Sequence, residues 1–74
     1  MFLNNIKNEK EYIIKRVTIN ETEKRRLYDL GIIKDCQIEL LYISPSKKIK
    51  AYLVKDAIIS IRNKDAINIE VYND

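Results

Sequence analysis

Arg26-Leu27-Tyr28-Asp29-Leu30-Gly31-Ile32-Ile33 holds the only glycine among 74 residues, and its reading decides the fold. The stretch is the last turn of an amphipathic helix. Gly31 falls just past the helix end, at the C′ position, where the chain takes a positive φ that any side chain with a Cβ resists. Leu27 then stands at C3 and Ile32 at C″, the apolar pair that accompanies such a cap. At the other end Asn20 is placed to cap the helix, and Glu23 three residues on completes a capping-box-like pair. The spacing predicts a helix from about Glu21 to Leu30, running directly into β-branched sequence.

Working outward, Glu11 to Ile19 reads as a first strand, after Leu3 and Ile6 as apolar anchors and a polar turn at Asn8-Glu9-Lys10. Lys34-Asp35 turns the chain into a second strand, Cys36 to Ile43, in which Ile38 and Leu40 alternate with Gln37 and Glu39. Ser44-Pro45-Ser46-Lys47-Lys48 is a loop. A third strand runs from Ile49 to Val54, and Lys55-Asp56 turns it into a fourth, Ala57 to Arg62. Asn63-Lys64-Asp65-Ala66 suits one helical turn. In the final strand Ile67, Ile69 and Val71 alternate with Asn68, Glu70 and Tyr72. Five short strands with one inserted helix predict a single, mainly β domain over residues 1–74, a small barrel whose closure removes sheet edges. Leu27, Leu30, Ile38, Leu40, Ile59, Ile61 and Ile69 are the expected core.

Composition narrows the function. A chain of this length has a small core and no room for an enclosed active site with a second domain. The net charge of +3, from 14 basic and 11 acidic residues, is mild and calls for no polyanionic partner. Histidine is absent, which removes the commonest general base and transition-metal ligand together. Cys36 is the only cysteine and excludes a disulfide framework; it reads as a small, partly buried residue. One glycine cannot build a phosphate-cradling loop. The carboxylates are scattered among lysines and arginines and read as surface charge. These observations predict no catalytic residue, no cofactor and no metal site, with at most weak ferrous-iron binding. The longest apolar runs, Leu40–Ile43 and Ala51–Val54, fall far short of the roughly 20 residues that cross a bilayer. With no basic and apolar leader at the start, the expectation is a cytoplasmic chain without membrane insertion.

The ordered set Arg26–Ile32, Ile38-Glu39-Leu40-Leu41-Tyr42, Ser44-Pro45-Ser46, Ala51–Arg62, Asp65-Ala66 and Ile69-Glu70-Val71 resembles the FeoA family over nearly the whole chain. The resemblance implies an SH3-like five-stranded barrel with one short inserted α-helix. It implies a cytoplasmic, non-catalytic accessory role in ferrous-iron uptake, beside a FeoB-type transporter and its GTPase domain. A related barrel forms the C-terminal domain of diphtheria-toxin-repressor-type metal regulators. The alternative is therefore a regulatory or nucleic-acid-associated barrel, with nucleic acid disfavoured because no aromatics interleave the Lys24-Arg25-Arg26 and Lys47, Lys48, Lys50 clusters. Self-association is left open. The chain departs from the family where glycine gives way to Asp35 and Asp56, and where a Gly-Asp-Pro run gives way to Lys47-Lys48-Ile49. Aspartate tolerates left-handed backbone, so both turns are expected to survive.

No contact map comes with the resemblance, so the docking surface is argued from this chain. The helix end and the Pro45 loop interrupt the barrel, and such features on a rigid scaffold carry binding. The candidate partner-binding residues are Arg25, Tyr28 and Ile33 at the helix end, with Tyr42, Pro45 and Lys48 on the loop side. Asn20 and Gly31 are structural.

Overall fold

The computed structural model describes residues 1–8 and 10–73. After a 3-10 turn at Leu3–Asn5 come β1 (Glu11–Val17), α1 (Glu21–Asp29), β2 (Gln37–Ile43), β3 (Ile49–Val54), β4 (Ala57–Arg62), the four-residue α2 (Asn63–Ala66) and β5 (Ile69–Tyr72). The five strands form one antiparallel sheet in the order β4-β3-β2-β1-β5. The expected turn at Asn8-Glu9-Lys10 includes Glu9, which lies outside the described residues, as does Asp74.

Both ends of α1 follow from local chemistry. The Glu23 amide donates to the Asn20 side-chain oxygen at 2.9 Å. At the C-terminus the Ile32 amide donates to the Leu27 carbonyl and the Gly31 amide to the Tyr28 carbonyl, both at 2.9 Å, with Gly31 at φ +94°. This is the Schellman arrangement, with its C3–C″ apolar pair: Leu27 is 2% exposed and Ile32 fully buried. A Cβ on Gly31 would meet Val54 Cγ1 at 3.4 Å and Lys55 Cδ at 3.6 Å, ordinary contact distances. The backbone dihedral, not crowding, therefore demands glycine.

Two other turns take left-handed backbone without glycine. Asp35 has φ 71°, and the β3–β4 turn has Lys55 at φ 49° and Asp56 at φ 67°. Two positive φ values between the paired Val54 and Ala57 define a type I′ hairpin, whose twist matches the flanking strands. Aspartate holds both turns, as expected.

The core is continuous: Tyr12, Ile14, Ile38, Leu40, Tyr52, Val54, Ile59, Ile61, Ile69 and Val71 point inward from all five strands, joined by Leu3, Ile6, Leu27, Ile32 and Ala66. Cys36 packs partly buried against it. Leu30 departs from expectation, at 44% exposed. It is the C-cap of α1, and the reversal at Gly31 sends Ile32 into the place that helical periodicity alone assigns to Leu30. Ile67 departs too. It caps α2 in the helical region and is exposed, so β5 begins at Ile69.

Among the described residues no ladder joins β4 to β5, so the expected closure is not a ring of hydrogen bonds. The two edges are covered separately. Phe2 bridges to Glu70, and Met1 exchanges backbone hydrogen bonds with Val71, so residues 1–2 extend the sheet beyond β5. Along β4 lies α1: Arg26, Leu27 and Leu30 line a crevice with Ser60, Ile61 and Arg62, and Gly31 approaches Val54. Arg26 also reaches Asp65 of α2 at 3.7 Å. No helix among the described residues is long and apolar enough to cross a membrane.

Two predictions test this frame. Leu27→Ala is expected to cost on the order of 2–5 kcal/mol, and Leu30→Ala less than about 1 kcal/mol; equal losses on chemical denaturation would refute the placement of the helix. Gly31→Val is expected to cost more than about 1 kcal/mol and Gly31→Asn less, since asparagine enters left-handed backbone more readily. Melting curves that place the two variants together would mean packing, not φ, selects glycine.

Candidate docking surface

Arg25 and Tyr28 lie three residues apart on α1, which puts them on one face of the helix. They line an open cleft with Glu21, Lys24 and Asp29, and both are exposed, Tyr28 by 56%. The neighbouring Arg26 is engaged, pairing with Glu23 at 2.9 Å and reaching Asp65. Arg25 has no carboxylate within 4 Å among the described residues, so its guanidinium is available to a partner. Ile33 is half-buried in the connection to β2, where its carbonyl accepts from the Cys36 amide at 3.2 Å.

The loop side is a separate feature: Tyr42, Pro45 and Lys48 are exposed, but none of them lines the α1 cleft. The Lys47 amide closes the turn on the Ser44 carbonyl at 2.8 Å, and the Asn63 amide holds the Lys48 carbonyl at 2.8 Å. Lys47 sits at φ 64°, in the run where the resemblance leads one to expect glycine.

Tyr42 belongs instead to an apolar outer face. The register of β2 slips between Leu40 and Tyr42, so Leu40 points inward while Leu41 and Tyr42 both emerge. On the same face Tyr42 pairs with half-covered Ala51, and Ile58, 71% exposed, pairs with half-covered Leu53; exposed Ile49 pairs with Arg62, and Glu39 and Ser60 share the face. Sequence reasoning missed Ile49 and Ile58. The outward phase of β4, with Ile58 alternating against buried Ile59 and Ile61, was a usable signal; the bulge that adds Leu41 was not.

Among the described residues no three Cys, Asp or Glu side chains converge as a metal set. Glu11 and Glu39 face each other across β1 and β2, beside Lys55 and Asp56 in the same cleft. Buried Tyr52 is different in kind. Its hydroxyl has no hydrogen-bond partner among the described residues, and burial raises its pKa from 10.0 to about 12.

A family model described as the FeoA domain matches residues 1–73. The chain belongs to the FeoA domain family. Among solved structures, a FeoA protein from Chlorobium tepidum superposes with a TM-score of 0.92 at 22% identity, over 99% of this chain and 70% of that one. Iron(II) transport protein A from Clostridium thermocellum superposes at 0.93 and 22% identity, with this chain spanning 99% of its own length and 45% of that protein's. The manganese-activated repressor ScaR matches at 0.88 and 22% identity, over the whole of this FeoA domain but 35% of the repressor. At these identities the likenesses establish the fold, which is SH3-like and mainly β as the sequence implied. A search of curated proteins finds no match.

The orphaned hydroxyl gives a pH-dependent prediction. Tyr52→Phe removes a buried, unpartnered polar group and is expected to leave stability unchanged or raise it by about 1 kcal/mol. Below pH 10 the phenol is neutral in both folded and unfolded chains, so its ionisation leaves stability untouched; as pH rises from 10 toward 12 the unfolded chain ionises first and the fold loses stability. Wild type should therefore lose ground to Tyr52→Phe only above about pH 10. A difference between the two in denaturation midpoint that is constant from neutral to strongly alkaline pH would contradict this.

Proposed function

We propose that this FeoA domain is a cytoplasmic, non-catalytic accessory protein of ferrous-iron uptake that docks on the GTPase domain of a FeoB-type transporter. The observation that carries the reading is the family match over residues 1–73, nearly the whole chain. The residue inventory agrees with it. A chain without histidine, with one half-buried thiol and dispersed carboxylates, is suited to regulating a transporter and not to carrying the ion. The available guanidinium of Arg25 and the exposed ring of Tyr28 supply the two residue types most enriched at interface hot spots.

The second reading, a regulatory barrel, draws on the likeness to ScaR, which is a likeness of fold. It predicts nucleic-acid binding that falls steeply with salt.

Calorimetry against the purified GTPase domain of such a transporter separates these readings. Arg25→Ala and Tyr28→Ala are each expected to weaken binding by more than about 1 kcal/mol while leaving the melting temperature intact. If neither changes binding but Ile58→Lys abolishes it, the outer sheet face is the docking surface. No binding by wild type, together with salt-dependent binding to nucleic acid, would favour the regulatory reading.

A further inference from the structure

Lys50 occupies an inward position of β3, in phase with buried Tyr52 and Val54, and is only 5% exposed. Its ammonium donates to the Asn4 carbonyl at 2.8 Å and the Ile6 carbonyl at 3.0 Å. A lysine ammonium carries three donors, so these two bonds fix its position and leave one to give. Neither carbonyl neutralises its charge, and among the described residues no carboxylate lies within 4 Å of it.

Lys50 lines a concave cleft of about 340 Å³ together with Asn4, Lys7, Ile43, Lys47 and Asn63. Among the described residues the lining holds three lysines, two amides, one apolar side chain and no carboxylate. Burial and the nearby Lys7 charge both lower the pKa of Lys50, as expected where like charges converge without a counter-charge. The wall opposite the N-terminal segment is braced: Asn63 donates from its side chain to the Lys47 carbonyl and from its backbone to the Lys48 carbonyl. Such a group of cations on a fixed frame attracts an anion, and its chemistry selects which one. Lysines are point charges that suit the several oxygens of a tetrahedral dianion, whose double charge gains more from three converging cations than the single charge of a carboxylate. Ile43 adds an apolar wall, and the volume exceeds that of a bare oxyanion. We propose that this cleft binds a phosphate-bearing small molecule, with Lys50 as the fixed donor and Lys7 and Lys47 as the cations that close on it. The inference stands on the cleft alone and does not depend on the docking reading.

The test is an amide-resonance titration of the full chain with inorganic phosphate and with glycerol phosphate, against chloride at matched ionic strength. Saturable shifts at Lys7, Lys47, Lys50 and Asn63 are expected with the phosphates and not with chloride. Lys50→Met also removes the tie to residues 4 and 6, so substitutions of the exposed lysines, Lys7→Gln and Lys47→Gln, carry the comparison. Each is expected to weaken binding about tenfold without changing the melting temperature. Co-sedimentation with phosphatidylglycerol vesicles distinguishes the source of the phosphate. Vesicle binding that both variants lose, with no response to the free phosphates, would assign the cleft to a lipid headgroup. Shifts equal to those of chloride, saturable shifts confined to other residues, or phosphate and vesicle binding indifferent to both variants would overturn the proposal.

Discussion

The reversal at Gly31 is the constraint from which the rest of the structure hangs. Two hydrogen bonds, from Ile32 to Leu27 and from Gly31 to Tyr28, end the helix and turn the chain back so that Leu27 and Ile32 enter the core side by side. The turn also fixes where α1 lies. With Gly31 against Val54 and Arg26 against Asp65, the helix runs along β4 from α2 to the tip of the β3–β4 hairpin. It thereby packs beside Ser60, Ile61 and Arg62 of the edge strand.

The opposite edge is managed by a different device. Residues 1–2 pair with β5, and Lys50 holds the following turn by two of its carbonyls. A buried ammonium is costly to desolvate, and here its hydrogen bonds go to a segment whose buried apolar side chains are Leu3 and Ile6. The same residue thus ties the N-terminal segment to the barrel and places a positive charge at the base of a cleft. Structure and binding capacity share one side chain, as is common where a polar group is retained in a small core.

The exposed surfaces fall into three kinds. The face of α1 offers Arg25, within 4 Å of no carboxylate among the described residues, beside a tyrosine; the outer face of β2, β3 and β4 offers Tyr42, Ile49 and Ile58; the cleft at Lys50 offers concentrated positive charge. The cationic cleft and the α1 face share no lining residue. An SH3-like barrel is a frame on which such faces vary independently, and the fold by itself does not say which is used.

Local chemistry was legible in the sequence wherever it acts over a few residues. The N-cap at Asn20, the C-cap at Gly31, the turns at Asp35 and Asp56 and the inward phase of Ile38, Leu40, Ile59, Ile61 and Ile69 follow from capping, left-handed propensity and alternation, which are properties of neighbours along the chain. Tertiary structure alone decided the rest. Leu30 satisfies helical periodicity yet faces solvent, because the cap hands its place to Ile32. Lys50 looks like one more surface lysine among Lys47 and Lys48, and only the N-terminal segment folding over β3 buries it. The bulge at Leu41, which turns two adjacent residues outward, depends on how β2 pairs with β3. Separate covers for two sheet edges, in place of a closed ring, arise from where α1 and residues 1–2 come to rest. Short-range signals are written in neighbouring residues; contacts between segments dozens of residues apart leave no local mark, because many sequences satisfy the same contact.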